Sequence, residues 1–130
     1  MGDAITVTDD VSGAPKTARI KALASNNATL LKAGPGNVYS ITVTSGLVAA
    51  VSTAFLKFYD KASTPAPASD TQKFTIPLIN TASANAIIEV TIPHGLAFTV
   101  GIGYAIVLNV GDTDNTSAVA DSVHGFVLFR

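Results

Sequence analysis

Two histidines, a single glutamate and one aspartate-rich loop are the residues of this chain whose types could do chemistry. His94 and His124 stand alone. Neither sits in an H-x-E or H-E-x-x-H spacing that would bring a second metal ligand onto the same face. A serine hydrolase needs nucleophile, base and orienting acid brought together; the chain has many serines but no G-x-S-x-G elbow. Glu89 is the sole glutamate. Glycoside chemistry needs two carboxylates across a cleft, and the alternating run around Glu89 makes it a solvated strand residue instead. Asp112-Thr113-Asp114-Asn115, with Asp121 nearby, is the best cation candidate, because alternating oxygen ligands on a loop suit calcium. The EF-hand pattern is absent, since Gly111 precedes Asp112 and no glutamate closes the loop, so a plain polar loop is expected. Gly95, Gly101 and Gly103 precede a strand rather than a helix, so no helix N-terminus faces a phosphate there. They are expected to serve a bulge or tight packing. Phe55 and Tyr59 share a face and are candidates for a sugar-stacking platform, which core packing explains at least as well. No catalytic, cofactor-binding or metal-ligating residue is assigned, and the chain is expected not to be an enzyme.

Composition narrows the classes further. A chain of 130 residues reads as one domain. Its 48% hydrophobic and 13% charged content argues against disorder, which needs high charge and few β-branched residues. So little charge suits a protein that hides surface in an assembly. Net charge is −1, and the basic residues cluster only at Lys16, Arg19 and Lys21. Nucleic-acid binding, which needs a positive stripe, is not expected. The absence of cysteine removes disulfides, thiolate nucleophiles and zinc–thiolate sites. No apolar run reaches the ~18 residues of a membrane span. Met1 to Thr6 lacks the basic and apolar regions of a signal peptide, and its formal fit to a myristoylation pattern is set down to chance. The sequons at Asn27 and Asn115 are read as turn composition.

The elements that must position these residues show period-2 alternation. Val38 to Thr44 places Tyr39, Ile41 and Val43 on one face and Ser40, Thr42 and Thr44 on the other, which only a half-buried strand does. Short strands are also predicted around Ile5 and Val7, over Ala18–Ala24, and over Ala28–Lys32. Further strands are predicted at Ala54–Tyr59, Lys73–Ile79, Ile88–Ile92, Ile102–Val110 and Val123–Phe129. A helix over Leu47–Tyr59 is the competing reading of the fifth run, and β-branched and aromatic residues argue against it. Pro77 cannot donate to a ladder, which makes its strand an edge or a bulge. Ile102–Val110 is apolar on both faces and so central. Val123–Phe129, also two-faced, is buried in the sheet or covered by a partner. Asp60–Thr71 is expected to be an extended surface loop, Pro93-His94-Gly95 to stop a strand, and Gly111–Ser122 to be a polar loop. About eight short strands predict an all-β antiparallel sandwich over residues 1–130, jelly-roll or immunoglobulin-like, with residues 1–15 as a candidate N-terminal arm.

Several strings taken together resemble small virion proteins from the structural-gene clusters of tailed bacteriophages. They are Val38-Tyr39-Ser40-Ile41-Thr42-Val43-Thr44, Ala54-Phe55-Leu56-Lys57-Phe58-Tyr59-Asp60-Lys61-Ala62, Pro65 with the Asp70 loop, and Phe74-Thr75-Ile76-Pro77-Leu78. Gly95-Leu96-Ala97-Phe98, Gly101-Ile102 and Gly111-Asp112-Thr113-Asp114 continue the likeness, which covers about residues 30 to 130. The resemblance implies a β-sandwich virion component: a capsid decoration (cement), head-fibre or tail-associated protein. It would act in the virion, assembled in the bacterial cytoplasm. Its partners would be the major capsid protein or other virion proteins and copies of itself, a trimer among the options. The alternative is a tail or fibre module that binds a carbohydrate or receptor through the loops Asp60–Thr71 and Gly111–Ser122. The family offers no catalytic residues to carry over.

Overall fold

The computed structural model describes residues 6–7, 14–45, 53–79 and 86–130. These residues form nine strands and no helix: β1 (Thr6–Val7), β2 (Lys16–Lys21), β3 (Thr29–Lys32), β4 (Gly36–Ser45), β5 (Thr53–Asp60), β6 (Phe74–Ile79), β7 (Ala86–Phe98), β8 (Ile102–Val107) and β9 (Val123–Phe129). The expected all-β sandwich is what the chain builds. Every strand pair is antiparallel. One sheet runs β1-β2-β9-β4-β7 and the other β3-β8-β5-β6. With the two-residue β1 set aside, each sheet has four strands, interleaved in the double Greek-key order of a jelly roll. An immunoglobulin sandwich groups its strands differently, so that alternative falls.

The core lies between the sheets because alternation turns one face of each strand inward. Ala18 and Ile20 from β2, Ile41 and Val43 from β4, and Val123, Val127 and Phe129 from β9 are buried against Leu56 and Phe58 of β5, Leu78 of β6 and Ile102, Tyr104 and Ile106 of β8. An aromatic cluster anchors one part of it. Phe58 stacks on Phe74 with centroids 4.9 Å apart and planes 8° from parallel, and Phe98 and Tyr104 tilt against Phe58. Pro77 sits on β6, an edge strand that pairs only with β5, as its missing donor requires. β8 is central and β9 lies between β2 and β4.

Four expectations need correction. Pro93-His94-Gly95 does not stop a strand: β7 continues through it to Phe98. The extra residues form a wide bulge, since Val38 pairs with Leu96 while Ser40 pairs with Thr91. Gly95 makes this possible with φ of 78°, and a Cβ there would come within 2.9 Å of both Asn37 and Tyr39. β7 is an edge strand, so Pro93 breaks no ladder. β8 ends at Val107 rather than Val110, and Leu108 begins a bend. Val38, and not the expected Tyr39, joins Ile41 and Val43 on the core face, because β4 bulges between Val38 and Ser40. β5 is the expected strand and not the competing helix, and it is buried on both faces from Leu56 to Tyr59. Finally, Asp60–Thr71 is more than a surface loop, because Pro65 and Pro67 are buried. The expected strand residue Ile5 and the 47–52 part of the competing helix fall outside the described residues. Of the candidate arm, Thr6 and Val7 pair with Ala18 and Thr17 of the same chain.

Candidate functional surface

Each sheet has an outward face, and the two faces differ in what covers them. On the smaller sheet, alternation points Lys57 and Tyr59 of β5 and Gly103 of β8 outward, yet Lys57 and Tyr59 are buried. Two loops fold back over them. Residues 61–73 leave β5 with the Lys61 amide donating to the Gly101 carbonyl at 3.2 Å. Pro65 then lies over Gly103, where a Cβ would meet it at 2.5 Å. Asp70 staples this loop by accepting from Lys61 Nζ at 2.5 Å and from the Ala66 amide at 2.7 Å. Those donors, the lysine first, hold its carboxyl below the usual range. Residues 108–117 come from β8, and Lys57 Nζ donates to the Gly111 carbonyl at 2.5 Å. Gln72 Nε2 donates to Asp112 Oδ1 at 2.9 Å, which joins the two loops.

Chemistry under this cover is closed to a substrate. Burial lowers the Lys57 pKa, while Asp114 and Asp112 oppose that shift. Burial first, then Asp70, Asp112 and Asp114, push the Tyr59 phenol up to about 12. Perturbed groups like these mark active sites when they line a cleft, but Lys57 is 0% and Tyr59 1% exposed. Tyr59 is therefore no sugar platform, and Phe55, which it was paired with, lies two positions farther along the same face, beyond Lys57, and is half-buried.

The remaining sequence candidates are dispersed. Asp114 turns its oxygens to Asn109 and Thr116 within its own loop. Asp112 is held by Gln72. Asp121, with φ of 63°, faces Lys21 at 3.5 Å and His124 at 3.6 Å on the other sheet. Among the described residues no three His, Asp or Glu side chains group to hold a metal. His94 rides the β7 bulge, beyond the Thr91 pairing, whereas His124 shares a row with Ile87 near the start of that strand. Gly101 and Gly103 serve the tight packing expected of them, against Lys61 and Pro65. The Asn27 side chain is turned inward and spent on Leu23 and Ser25, so that sequon presents no free amide. A polar cleft of about 310 Å³ lies between Lys21, Asn26, Asn27, Thr29 and Tyr104. Its asparagines are tied internally, Asn26 to Asn115 at 2.6 Å and to the Ala28 amide at 3.1 Å.

Among the described residues no such loops cover the outward face of the larger sheet, and there the register builds three straight rows. Arg19, Phe126, Thr42 and Glu89 are cross-strand neighbours from β2 through β9 and β4 to β7. Lys21, His124, Thr44 and Ile87 form the next row, and Thr17, Leu128, Ser40 and Thr91 the third. Phe126 is 42% and Ile87 69% exposed. Residue by residue this face was readable, since Phe126 and Leu128 alternate with Val127 and Phe129. What periodicity could not supply was the pairing that sets Arg19 and Glu89 at opposite ends of one row. Compared with known proteins, the chain matches no family model, no curated protein and no solved structure.

Proposed function

We propose that this chain is a non-enzymatic virion structural protein of a tailed bacteriophage, a decoration protein that binds the capsid lattice and copies of itself. The observation that carries the reading is the contrast between the two sheet faces. One is sealed by the chain's own loops over Lys57 and Tyr59, while on the other no described loop covers the exposed Phe126 and Ile87. A face of threonines and apolar side chains with few charges suits association rather than turnover. The jelly roll supports the reading by fold analogy alone, since it recurs in viral capsid and lectin domains. The low charge and the resemblance of residues 30 to 130 to phage virion proteins point the same way.

A second reading, a carbohydrate- or receptor-binding module, has one observation in its favour. The loops 61–73 and 108–117 meet through Gln72 and Asp112 and form one continuous surface. Lectin domains on this fold make that a coherent alternative. The experiment is to co-express the chain with the major capsid protein from its own gene neighbourhood, then sediment and image the particles. The decoration reading expects regular added density on the lattice. Bare particles beside free protein overturn it, and glycan binding lost on loop substitution would install the alternative.

A further inference from the structure

We infer that the outward face of the larger sheet is a two-fold docking surface for a second copy of this chain, held in register by Arg19 against Glu89. This deepens the self-association in the proposed function and needs no capsid partner. The argument is one of charge placement. Arg19 stands on β2 and Glu89 on β7, at the two ends of a row whose middle is Phe126 and Thr42. Neither has an ion-pair partner among the described residues. The basic side of the face also carries Lys21, and the acidic side has no cation among its outward residues Ile87, Glu89 and Thr91.

Two copies can meet face to face about either of two in-plane axes. An axis across the strands lays β2 over β2, so Arg19 meets Arg19. An axis along the strands, between β9 and β4, exchanges β2 with β7. Arg19 of each copy then stands over Glu89 of the other, and Phe126 lands on Thr42. The second arrangement makes two ion pairs by symmetry and the first makes none, so the face is self-complementary in one orientation. It keeps the strands nearly aligned, as packed sheets prefer.

Size sets the expected strength. Four strands about 4.8 Å apart and three rows about 7 Å apart cover roughly 300 Å² of sheet. A standard interface buries about 800 Å² per partner. The dimer is therefore weak alone, with a Kd on the order of 100 µM, and gains from many copies held on one scaffold.

The test is sedimentation equilibrium of the full chain, up to about 0.5 mM protein, for wild type, Arg19→Glu, Glu89→Arg and the double variant. Each single reversal sets like charges together twice and is expected to weaken the dimer at least about tenfold. The double variant is expected to recover wild-type affinity within about threefold. Thr42→Arg, under the incoming Phe126, should also abolish the dimer while leaving both charges intact. Thermal melts of all variants check folding, and both charged positions are exposed. A wild type that stays monomeric, a dimer indifferent to the single reversals, or a double variant that stays monomeric each overturns the inference. A dimer that ignores particles removes only the capsid partner. A monomer that still decorates them removes only this surface.

Discussion

Asp60 offers the sharpest check on how the sandwich is held at one end. Its carboxylate closes β5 and gathers the turn between β7 and β8. Oδ2 accepts from the Thr99 amide at 3.0 Å and hydroxyl at 3.1 Å, and Oδ1 from the Val100 amide at 2.8 Å and the Gly101 amide at 3.2 Å. Burial opposes ionisation there, but the three amides and the hydroxyl outweigh it and hold the pKa at about 2, against an ordinary 3.8. At about 1.36 kcal/mol per pH unit that gap is worth about 2 kcal/mol, and solvent screening of a partly exposed group trims it to about 1–2 kcal/mol. Asp60→Asn keeps the shape but turns an NH₂ toward amide donors, so it should cost about 1–2 kcal/mol at neutral pH. The sign follows from linkage. The folded pKa is depressed, so the stabilisation is complete above about pH 4 and disappears as pH falls through about 2. Urea unfolding followed by circular dichroism should show the gap between wild type and variant closing over that window. A gap that stays constant down to about pH 2, or a variant equal to wild type at about pH 7, refutes the reasoning.

Other outcomes follow from packing. Gly125→Ala drives a Cβ into the Thr42 carbonyl oxygen and places it 2.7 Å from Val43 Cα, both backbone of an inner strand. It should lose about 1–3 kcal/mol or fail to fold, as denaturant melts would show. Phe58→Ala removes the ring that stacks on Phe74 and touches Phe98 and Tyr104, and should cost about 3–5 kcal/mol in the same assay. Tyr59 Oη is buried with no hydrogen-bond partner among the described residues. Tyr59→Phe is therefore expected to leave stability unchanged or raise it by up to about 1 kcal/mol, and a loss of that size would mean that the hydroxyl is satisfied. In the wild type, ultraviolet titration should find this phenol ionising only near pH 12.

Sequence periodicity carried the strands whose two faces differ or whose proline is diagnostic. Ser40–Thr44, the edge role of Pro77 and the interior placement of Ile102–Val107 and Val123–Phe129 were legible, because local alternation and a missing donor report directly on burial, whereas the bulge that puts Val38 in place of Tyr39 on the core face was not. Pro93-His94-Gly95 misled because turn chemistry looks the same whether it ends a strand or bulges an edge. The deciding fact, that β7 has a free side, is set by pairing far along the chain. Lys57 and Tyr59 were readable as a second face of β5 but not as buried, since residues that cover them arrive from loops, one of them dozens of positions away. The same non-locality hid the row from Arg19 to Glu89, which exists only because β2, β9, β4 and β7 align in that order.

The position of β9 has a consequence for how the molecule comes into being. β2 and β4 both precede β9 in the chain, and they are joined in the larger sheet only through residues 123–129, which pair with each of them. The larger sheet cannot grow strand by strand from the ribosome. Its closure pairs residues that lie far apart in the sequence. Such non-local closure places folding at the slow end of the range for small domains. A nascent chain stalled before Val123 would be the species that most needs a chaperone.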